Sequence, residues 1–236
     1  MSIPVKLRPT RLDRSRHAAP QVFEKLRELI LSLELEPGTV LSRAELAEQF
    51  GLSQTPIRDA LIKLGEEGLV DIFPQHATVV SRINLSSARQ AHFLRKAIEA
   101  EVVRTLATTV DPKLVARLRA QVDLQAAVMG SDSGSDHYGE FVAADQAFHR
   151  MMYEAAGVPE LFALVRRLSG HVDRLRRLHL PQAGKTQAVV RDHRRIVDAI
   201  AKGDPDAAQA RLREHLSGTL GQVEEISARH PDYVTE

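Results

Sequence analysis

Residues 44–64 read AELAEQFGLSQTPIRDALIKL, and this stretch decides the fold of the N-terminal part of the chain. Its apolar residues recur three and four positions apart, which predicts two short amphipathic helices. Gly51 lies between them and suits the left-handed backbone that a tight exit from the first helix requires. Ser53 is expected to cap the second helix, and Pro56 is tolerated in its first turn. These signals fit a helix-turn-helix, although an ordinary helical hairpin shares them.

The segments on either side of this stretch favour the helix-turn-helix. Residues 68–72 and 78–81 are rich in β-forming residues and are separated by FPQHA, which predicts a β-hairpin wing. Upstream, residues 22–33 form an amphipathic pattern that ends before a Pro-Gly pair. The sequence therefore predicts a winged helix-turn-helix DNA-binding domain over residues 21–83.

Residues 37–70, PGTVLSRAELAEQFGLSQTPIRDALIKLGEEGLV, resemble, together with the wing, the DNA-binding domain of GntR-type bacterial transcription factors. The resemblance implies binding to double-stranded operator DNA, with the second helix as the recognition helix. The side chains expected to contact bases or phosphates are Arg43, Gln54, Thr55, Arg58 and His76. For Arg58 the alternative is a surface ion pair with Asp59 or Glu66.

The chain departs from the usual GntR pattern at DNA-contact positions. Gln54 stands where the family usually has Arg, and Arg43-Ala44 stands where an acidic-Arg pair is usual. The wing tip is His76-Ala77, where Arg-Gly is usual. We therefore expect an operator that differs from the commonest family sequence, or weaker binding to it.

Composition limits the remaining classes of protein. The 236 residues suffice for a small domain and a larger one, and the absence of Cys excludes disulfides and thiolate metal sites. No apolar run approaches the length of a membrane span, so a cytoplasmic protein is expected. The net charge of +1 is no nucleic-acid signature, but residues 1–20 are expected to form a basic, flexible arm. This arm either contacts phosphates or is a solvated leader.

Residues 84–230 predict a second, all-α domain. Helical patterns follow one another without intervening strands, which argues against an α/β enzyme fold and favours a bundle of six or seven helices. The fold class is therefore mainly α: a winged helix-turn-helix domain followed by a helical bundle. The helices are expected over residues 86–109, 112–129, 136–156, 160–180, 187–201 and 205–228.

The bundle contains a candidate metal site. Asp145 and His149 are four residues apart and project from the same helical face. His193 and His215 each lie on or beside an apolar face, where an unpaired imidazole is costly. Each histidine alone is adequately explained as a satisfied core or surface residue. Convergence of all of them on one divalent cation explains them together, and this donor set suits zinc or nickel rather than calcium.

Residues 93–107, 144–157 and 192–216 read FLRKAIEAEVVRTLA, ADQAFHRMMYEAAG and DHRRIVDAIAKGDPDAAQARLREHL. These phrases resemble the FCD effector domain of the FadR subfamily of GntR proteins. The resemblance implies that Asp145, His149, His193 and His215 ligate a divalent metal, zinc first and nickel as the alternative. It also implies a homodimer, a small organic acid as effector, and a repressor that the effector releases from DNA.

A metal held by these ligands carries residual positive charge that attracts an anion. Arg95 is the leading candidate for binding a carboxylate, and Arg174 is the second. The alternative for Arg95 is an exposed arginine that pairs with Glu99. Three other functions stay open: the same DNA-binding role with a purely structural metal, or with an acyl thioester effector, and a metal-dependent hydrolase. The hydrolase gives the winged domain no purpose, so the chain is expected not to be an enzyme.

Overall fold

The computed structural model describes residues 12–13, 15–74, 76–128, 137–179 and 184–236, with the side chain of His137 left out. Most of the predicted arm at residues 1–20, the wing residue Gln75 and the predicted helix ends at 129, 136 and 180 lie outside this part. The described residues fall into two compact units. The winged unit comprises the chain up to Ala88 together with Ser227–Glu236, and the helical unit comprises Arg89–Ile226.

The winged unit has the helix-turn-helix and wing that the sequence predicts. Its strands form an antiparallel sheet in the order β1-β3-β2, in which β2 and β3 are the wing. Strand β1 is an addition that the sequence did not indicate. The elements are α1 (Ala18–Leu31), β1 (Val40–Leu41), α2 (Arg43–Phe50), α3 (Gln54–Glu66), β2 (Val70–Phe73) and β3 (Ala77–Val80).

Local chemistry explains the turn between α2 and α3. The side chain of Ser42 accepts a hydrogen bond from the Glu45 amide at 3.3 Å and caps α2. Gly51 ends α2 at φ 63° and ψ 38°, the left-handed conformation predicted for it. Ser53 occupies the N-cap position of α3 as expected, but its side chain makes no capping hydrogen bond within the described residues.

The apolar faces of the three helices form the core of the winged unit. From α3, Ile57, Ala60 and Leu64 are fully buried. They belong to one cluster with residues of α1 and α2, which fixes the recognition helix relative to the wing. The cluster also includes Val22, Leu26, Ile30, Leu46, Phe50, Leu61 and Val80.

The second part of the chain is helical, as predicted. The helices are α4 (Leu85–Thr108), α5 (Pro112–Val128), α6 (His137–Ala155), α7 (Pro159–Leu168), α8 (Gly170–His179), α9 (Lys185–Ala201), α10 (Pro205–Leu220) and α11 (Val223–Arg229). Buried aromatic and aliphatic residues of α5, α6, α9 and α10 form its core, including Leu118, Phe141, Phe148, Met152, Ile196 and Leu212. No helix within the described residues is long and apolar enough to cross a membrane.

Two helices that the periodicity predicts as continuous are broken. The helix expected over residues 160–180 is interrupted at Ser169, whose hydroxyl donates to the Val165 carbonyl at 2.7 Å. A serine that bonds its own preceding turn competes with the helical ladder, and Gly170, a poor helix former, follows it. The helix expected over 205–228 ends at Leu220, and Gly221 occupies its C-cap.

A short parallel strand pair lies in the winged unit and was not predicted. Strand β4 (Ile83–Asn84) pairs with β5 (Val234–Thr235) near the end of the chain. Because β4 directly precedes α4, the last residues of the sequence lie beside the segment that leads into the helical unit.

Candidate functional site

The four predicted metal ligands converge. Asp145 and His149 come from α6, His193 from α9 and His215 from α10, and one donor atom of each lies within 4.8 Å of the others. His193 Nε2 is 3.2 Å from His215 Nε2 and 3.6 Å from Asp145 Oδ1. These side chains are almost fully buried, with exposed fractions of 0% for His193 and 1% for Asp145.

The arrangement fits a divalent transition metal. Two donors on one zinc ion with bonds of about 2.0–2.1 Å lie roughly 2.9 to 4.2 Å apart, depending on the angle between them. Both distances at His193 Nε2 fall in that range. Asp145 Oδ1 and His149 Nε2 are buried and have no hydrogen-bond partner in the described part of the chain. Such atoms are costly unless something binds them, and a cation does so.

A second layer of polar residues orients the histidines. Glu99 Oε2 lies 2.9 Å from His149 Nδ1, and Gln125 Oε1 lies 2.8 Å from His193 Nδ1, from which it accepts a hydrogen bond. Asp192 Oδ2 lies 3.9 Å from His215 Nδ1. Gln125 thus leaves Nε2 of His193 available for a metal, and Glu99 faces Nδ1 of His149 in the same way. At 3.9 Å, Asp192 makes no hydrogen bond to His215. The sequence did not predict these roles: Glu99 was considered only as a partner of Arg95.

The electrostatics of the cluster favour its metal-binding protonation state. Burial lowers the pKa of His193 to about 3, with a further lowering by His149. Burial also lowers the pKa of His215 well below its usual value, and His193 adds to this effect. Burial alone would raise the pKa of Asp145, but the Arg176 guanidinium holds it well below its usual value. His193 and His215 are therefore neutral and Asp145 is ionised, the forms that bind metals.

A cavity of about 210 Å³ adjoins this cluster, and its lining includes the cations Arg95, Arg176 and Lys185. Arg176 Nη2 donates to Asp145 Oδ2 at 2.9 Å, and Arg95 Nε donates to Glu99 Oε1 at 2.7 Å. The cavity is therefore suited to a small anion. Its titratable lining residues are His92, Arg95, Arg176, His179, Lys185, Asp192 and His215.

The structure separates the two predicted effector arginines. Arg95 lines the cavity and pairs with Glu99, but both side chains are buried rather than exposed. Arg174 is fully buried, with Nη2 2.9 Å from His171 Nδ1, and is not among the residues that line the cavity. Arg176, two positions later, lies there instead. The run DRLRR gave no periodic signal to choose between them.

Most of the predicted DNA contacts lie together in the winged unit. Arg43, Gln54, Arg58 and His76 line one cleft of about 440 Å³, formed by the starts of α2 and α3 and by the wing. Thr55 is exposed on the first turn of α3 but does not line this cleft.

Arg58 makes the surface contact that sequence analysis gave as its alternative role. Its Nη2 is 3.4 Å from Asp59 Oδ1, and both side chains are about half exposed. An exposed pair of this kind contributes little energy and leaves the guanidinium accessible to phosphate. The same cleft exposes the apolar side chains of Val40, Ile62, Ile72 and Phe73, a surface that can contact thymine methyl groups.

Comparison with known families agrees with both units. The family described as "Bacterial regulatory proteins, gntR family" matches residues 18–80, and the FCD domain matches residues 90–218, more than half of the chain. The chain belongs to the GntR family. GntR regulators with an FCD domain are transcriptional regulators and not enzymes, which confirms that expectation and sets the hydrolase aside.

Individual relatives of this GntR protein cover nearly its whole length. It is 36% identical to an HTH-type transcriptional regulator in an unstable DNA locus of Streptomyces ambofaciens, over 89% of this chain and 87% of the relative. It is 28% identical to the HTH-type transcriptional repressor RspR of Escherichia coli K12, over 96% and 98% of the two chains. The solved structure of E. coli McbR/YncC has the same fold, with a TM-score of 0.71 at 20% identity, and covers 89% of this chain and 98% of that one.

Proposed function

We propose that this GntR regulator is a metal-binding repressor of the FadR subfamily whose operator affinity is controlled by a small carboxylic acid. The observation that carries the proposal is the convergence of Asp145, His149, His193 and His215. Two of their buried donor atoms, Asp145 Oδ1 and His149 Nε2, have no hydrogen-bond partner among the described residues. A structural role in the fold alone does not explain such a set, because apolar side chains would fill the same space at lower cost.

The cavity beside the cluster supports a small acid as effector. When bound, a divalent ion, zinc or nickel, supplies positive charge and open coordination positions for a carboxylate. Arg95 and Arg176 are already oriented by Glu99 and Asp145, so they can bind an anion without first becoming ordered. Lys185 adds a third cation to the lining. A volume of about 210 Å³ suits an acid of a few carbons and does not suit a long acyl chain.

The DNA-binding role rests on the winged unit. We propose that a homodimer in the cytoplasm places two copies of α3 on the half-sites of a palindromic operator. Arg43 and Arg58 would contact phosphates or guanine, and Gln54 would read a base from the start of the recognition helix. Thr55 and His76 would contact the DNA backbone.

Effector binding would act by shifting the population of two conformations. A tenfold loss of operator affinity needs about 1.4 kcal/mol of coupling between the sites. Arg95 on α4 and His215 on α10 line the same cavity, so an acid bound there can favour one arrangement of these helices.

A purely structural metal is the second candidate, because the cluster is buried and includes three helices. His193→Ala distinguishes the two. A structural ion predicts that this variant loses its folded state, whereas an effector-linked ion predicts a folded variant that no longer responds to acids.

The direct test is a titration of operator binding with small carboxylic acids. A duplex selected in vitro by the protein serves as operator, and zinc-loaded protein is compared with chelator-treated protein. We expect some hydroxy, citrate-like or sugar acid to release the zinc-loaded protein only. Arg176→Ala should abolish this response. Arg194→Ala, which removes an exposed arginine paired with Asp123, should keep it. If no acid changes the operator affinity of the metal-loaded protein, the proposal is wrong.

A further inference from the structure

The last residues of the chain hold the segment that joins the wing to α4. Strand β5 pairs in parallel with β4, and the Ile83 amide donates to the Tyr233 carbonyl at 2.7 Å. The guanidinium of Arg82 donates to the backbone carbonyls of Pro231 and Asp232. We call residues 82–84 the linker and residues 230–236 the tail. Three consecutive backbone carbonyls of the tail thus accept hydrogen bonds from the linker.

Asn84 connects this pairing to the start of the bundle. Its Nδ2 donates to the backbone oxygen of Glu236 at 2.8 Å. Its Oδ1 accepts a hydrogen bond from the Ser87 amide at 2.6 Å, which caps the first turn of α4. One side chain therefore binds the end of the chain and fixes where α4 begins.

The strand pair is also partly closed to solvent. Ile83 is fully buried and Val234 is 7% exposed, so the pairing buries apolar area in addition to its hydrogen bonds. The Tyr233 side chain is hydrogen-bonded to Glu36, which precedes β1. A pair of only two residues on each strand is nevertheless weak, because each hydrogen bond replaces one to water.

The other end of the tail segment borders the effector cavity. Gly218, Thr219, Leu220 and Gln222, at the end of α10 and in the turn that follows, line the cavity. From this turn the chain passes through α11 directly to β5. Residues 218–236 therefore have one end in the cavity wall and the other on the linker.

We propose that the C-terminal strand is the element that carries a change at the cavity wall to the winged unit. Paired with β4, it holds residues 82–84 in the conformation that binds the operator. A displacement of the turn after α10 is passed through α11 to the strand and releases the linker. The effect on operator affinity rests only on the DNA-binding role, whereas the response to the cavity rests on the proposed effector function.

The first experiment measures operator affinity in EDTA, so it is independent of the metal site. Asn84→Asp keeps the oxygen that caps α4 but replaces the donor to Glu236 by a carboxylate. Arg82→Gln removes the bonds to the tail carbonyls, and a truncated chain ending at Arg229 removes the strand. We expect each to weaken binding to a selected duplex by roughly fivefold or more. Asp232→Asn is the matched control, because it changes a tail side chain while keeping the backbone acceptor, and it should bind as wild type.

Two results would overturn the proposal at this stage. The first is operator affinity equal to wild type in all three variants. The second is weaker binding in the truncated chain alone, accompanied by a lower unfolding temperature, which would make the tail a stabiliser of the winged unit and nothing more.

The second experiment measures hydrogen exchange at the Ile83 amide in the full chain with and without zinc, together with the zinc content of each sample. The proposal predicts that exchange at this amide changes when zinc is bound. Unchanged exchange at the Ile83 amide in a zinc-loaded sample would show that the strand pairing does not respond to the metal site. That result would contradict the proposed route from the cavity to the winged unit. A sample that takes up no zinc contradicts the proposed metal site and with it the transmission, but leaves the result in EDTA intact.

Discussion

His193 Nε2 and His215 Nε2 lie 3.2 Å apart, although the two residues are 22 positions apart in sequence. They belong to α9 and α10, which pack side by side. Because Gln125 accepts the proton on His193 Nδ1, the Nε2 of His193 carries a lone pair directed at its neighbour. Without a cation, only a proton on His215 Nε2 can satisfy it. A metal ion bound to both nitrogens would accept both lone pairs, so that no proton is needed between them. Metal binding at this pair has several measurable consequences.

Zinc should stabilise the folded protein. A ligand that binds only the native state stabilises it by about 4 kcal/mol at a free concentration 1,000 times its dissociation constant. We therefore expect zinc to raise the unfolding temperature of the wild type and to have no such effect on His215→Ala. His17→Ala, which changes an exposed histidine of the winged unit, serves as the control and should respond as wild type. An equal response in His215→Ala would contradict the site.

Glu99→Gln should weaken metal binding although Glu99 is not a ligand. The Glu99 carboxylate lies 2.9 Å from His149 Nδ1 and orients the ring, and loss of such a partner costs roughly 10- to 100-fold in metal affinity. Competition with a chelator of known affinity measures the change. Glu101→Gln, an exposed change on the same helix, should leave the zinc affinity unaltered. Equal affinities for the two variants would show that Glu99 has no orienting role.

The two N-caps of the helix-turn-helix should differ in their effect on stability. Ser42 accepts the Glu45 amide, so Ser42→Ala should lower the free energy of unfolding by about 1 kcal/mol. Ser53 makes no such bond within the described residues, so Ser53→Ala should cost much less. Urea unfolding followed by circular dichroism compares them. A Ser53→Ala variant less stable than Ser42→Ala would contradict this difference between the two caps.

His171 should make stability depend on pH. Its pKa is lowered to about 4, first by burial and then by Arg174, from an ordinary value of 6.5 in the unfolded chain. The part of the free energy of unfolding that depends on neutral His171 is fully present above pH 6.5. It is lost as the pH falls toward 4, because the unfolded chain binds the proton first. A shift of this size corresponds to about 3 kcal/mol.

Urea unfolding in EDTA across this pH window tests the role of His171. His171→Gln can still accept a hydrogen bond from Arg174 but does not titrate, so its stability should fall less steeply with acid. His17→Gln is the control for a general effect of removing a histidine. Identical slopes for wild type and His171→Gln would exclude this residue as the cause.

Sequence reasoning was most successful where the signal is local. Gly51 has the backbone that its position between two amphipathic runs predicts. The convergence of Asp145, His149, His193 and His215 was also predicted, but from the family resemblance rather than from spacing, and their binding of a metal stays a prediction. Sequence spacing could not identify Gln125 as the hydrogen-bond partner of His193. The two residues are 68 positions apart and meet only because α5 packs on α9.

Two other features depended on non-local contacts. Arg174 and Arg176 both lie in α8, and which of them lines the cavity depends on how α8 packs against the other helices, which the sequence pattern does not show. Strand β5 has only two residues, too few for an alternating pattern, and it forms because β4 offers a partner about 150 positions earlier in the chain. Neither could be derived from local propensity.

The most direct test of the central claim is the metal content of protein purified without chelator, measured by elemental analysis. Wild type is compared with Asp145→Ala and His193→Ala, and Asp123→Ala, an exposed change on α5, serves as the control. We predict about one zinc or nickel ion per chain in wild type and in the control, and none in the other two variants. Wild-type protein without metal, or unchanged metal content in Asp145→Ala and His193→Ala, would contradict the claim.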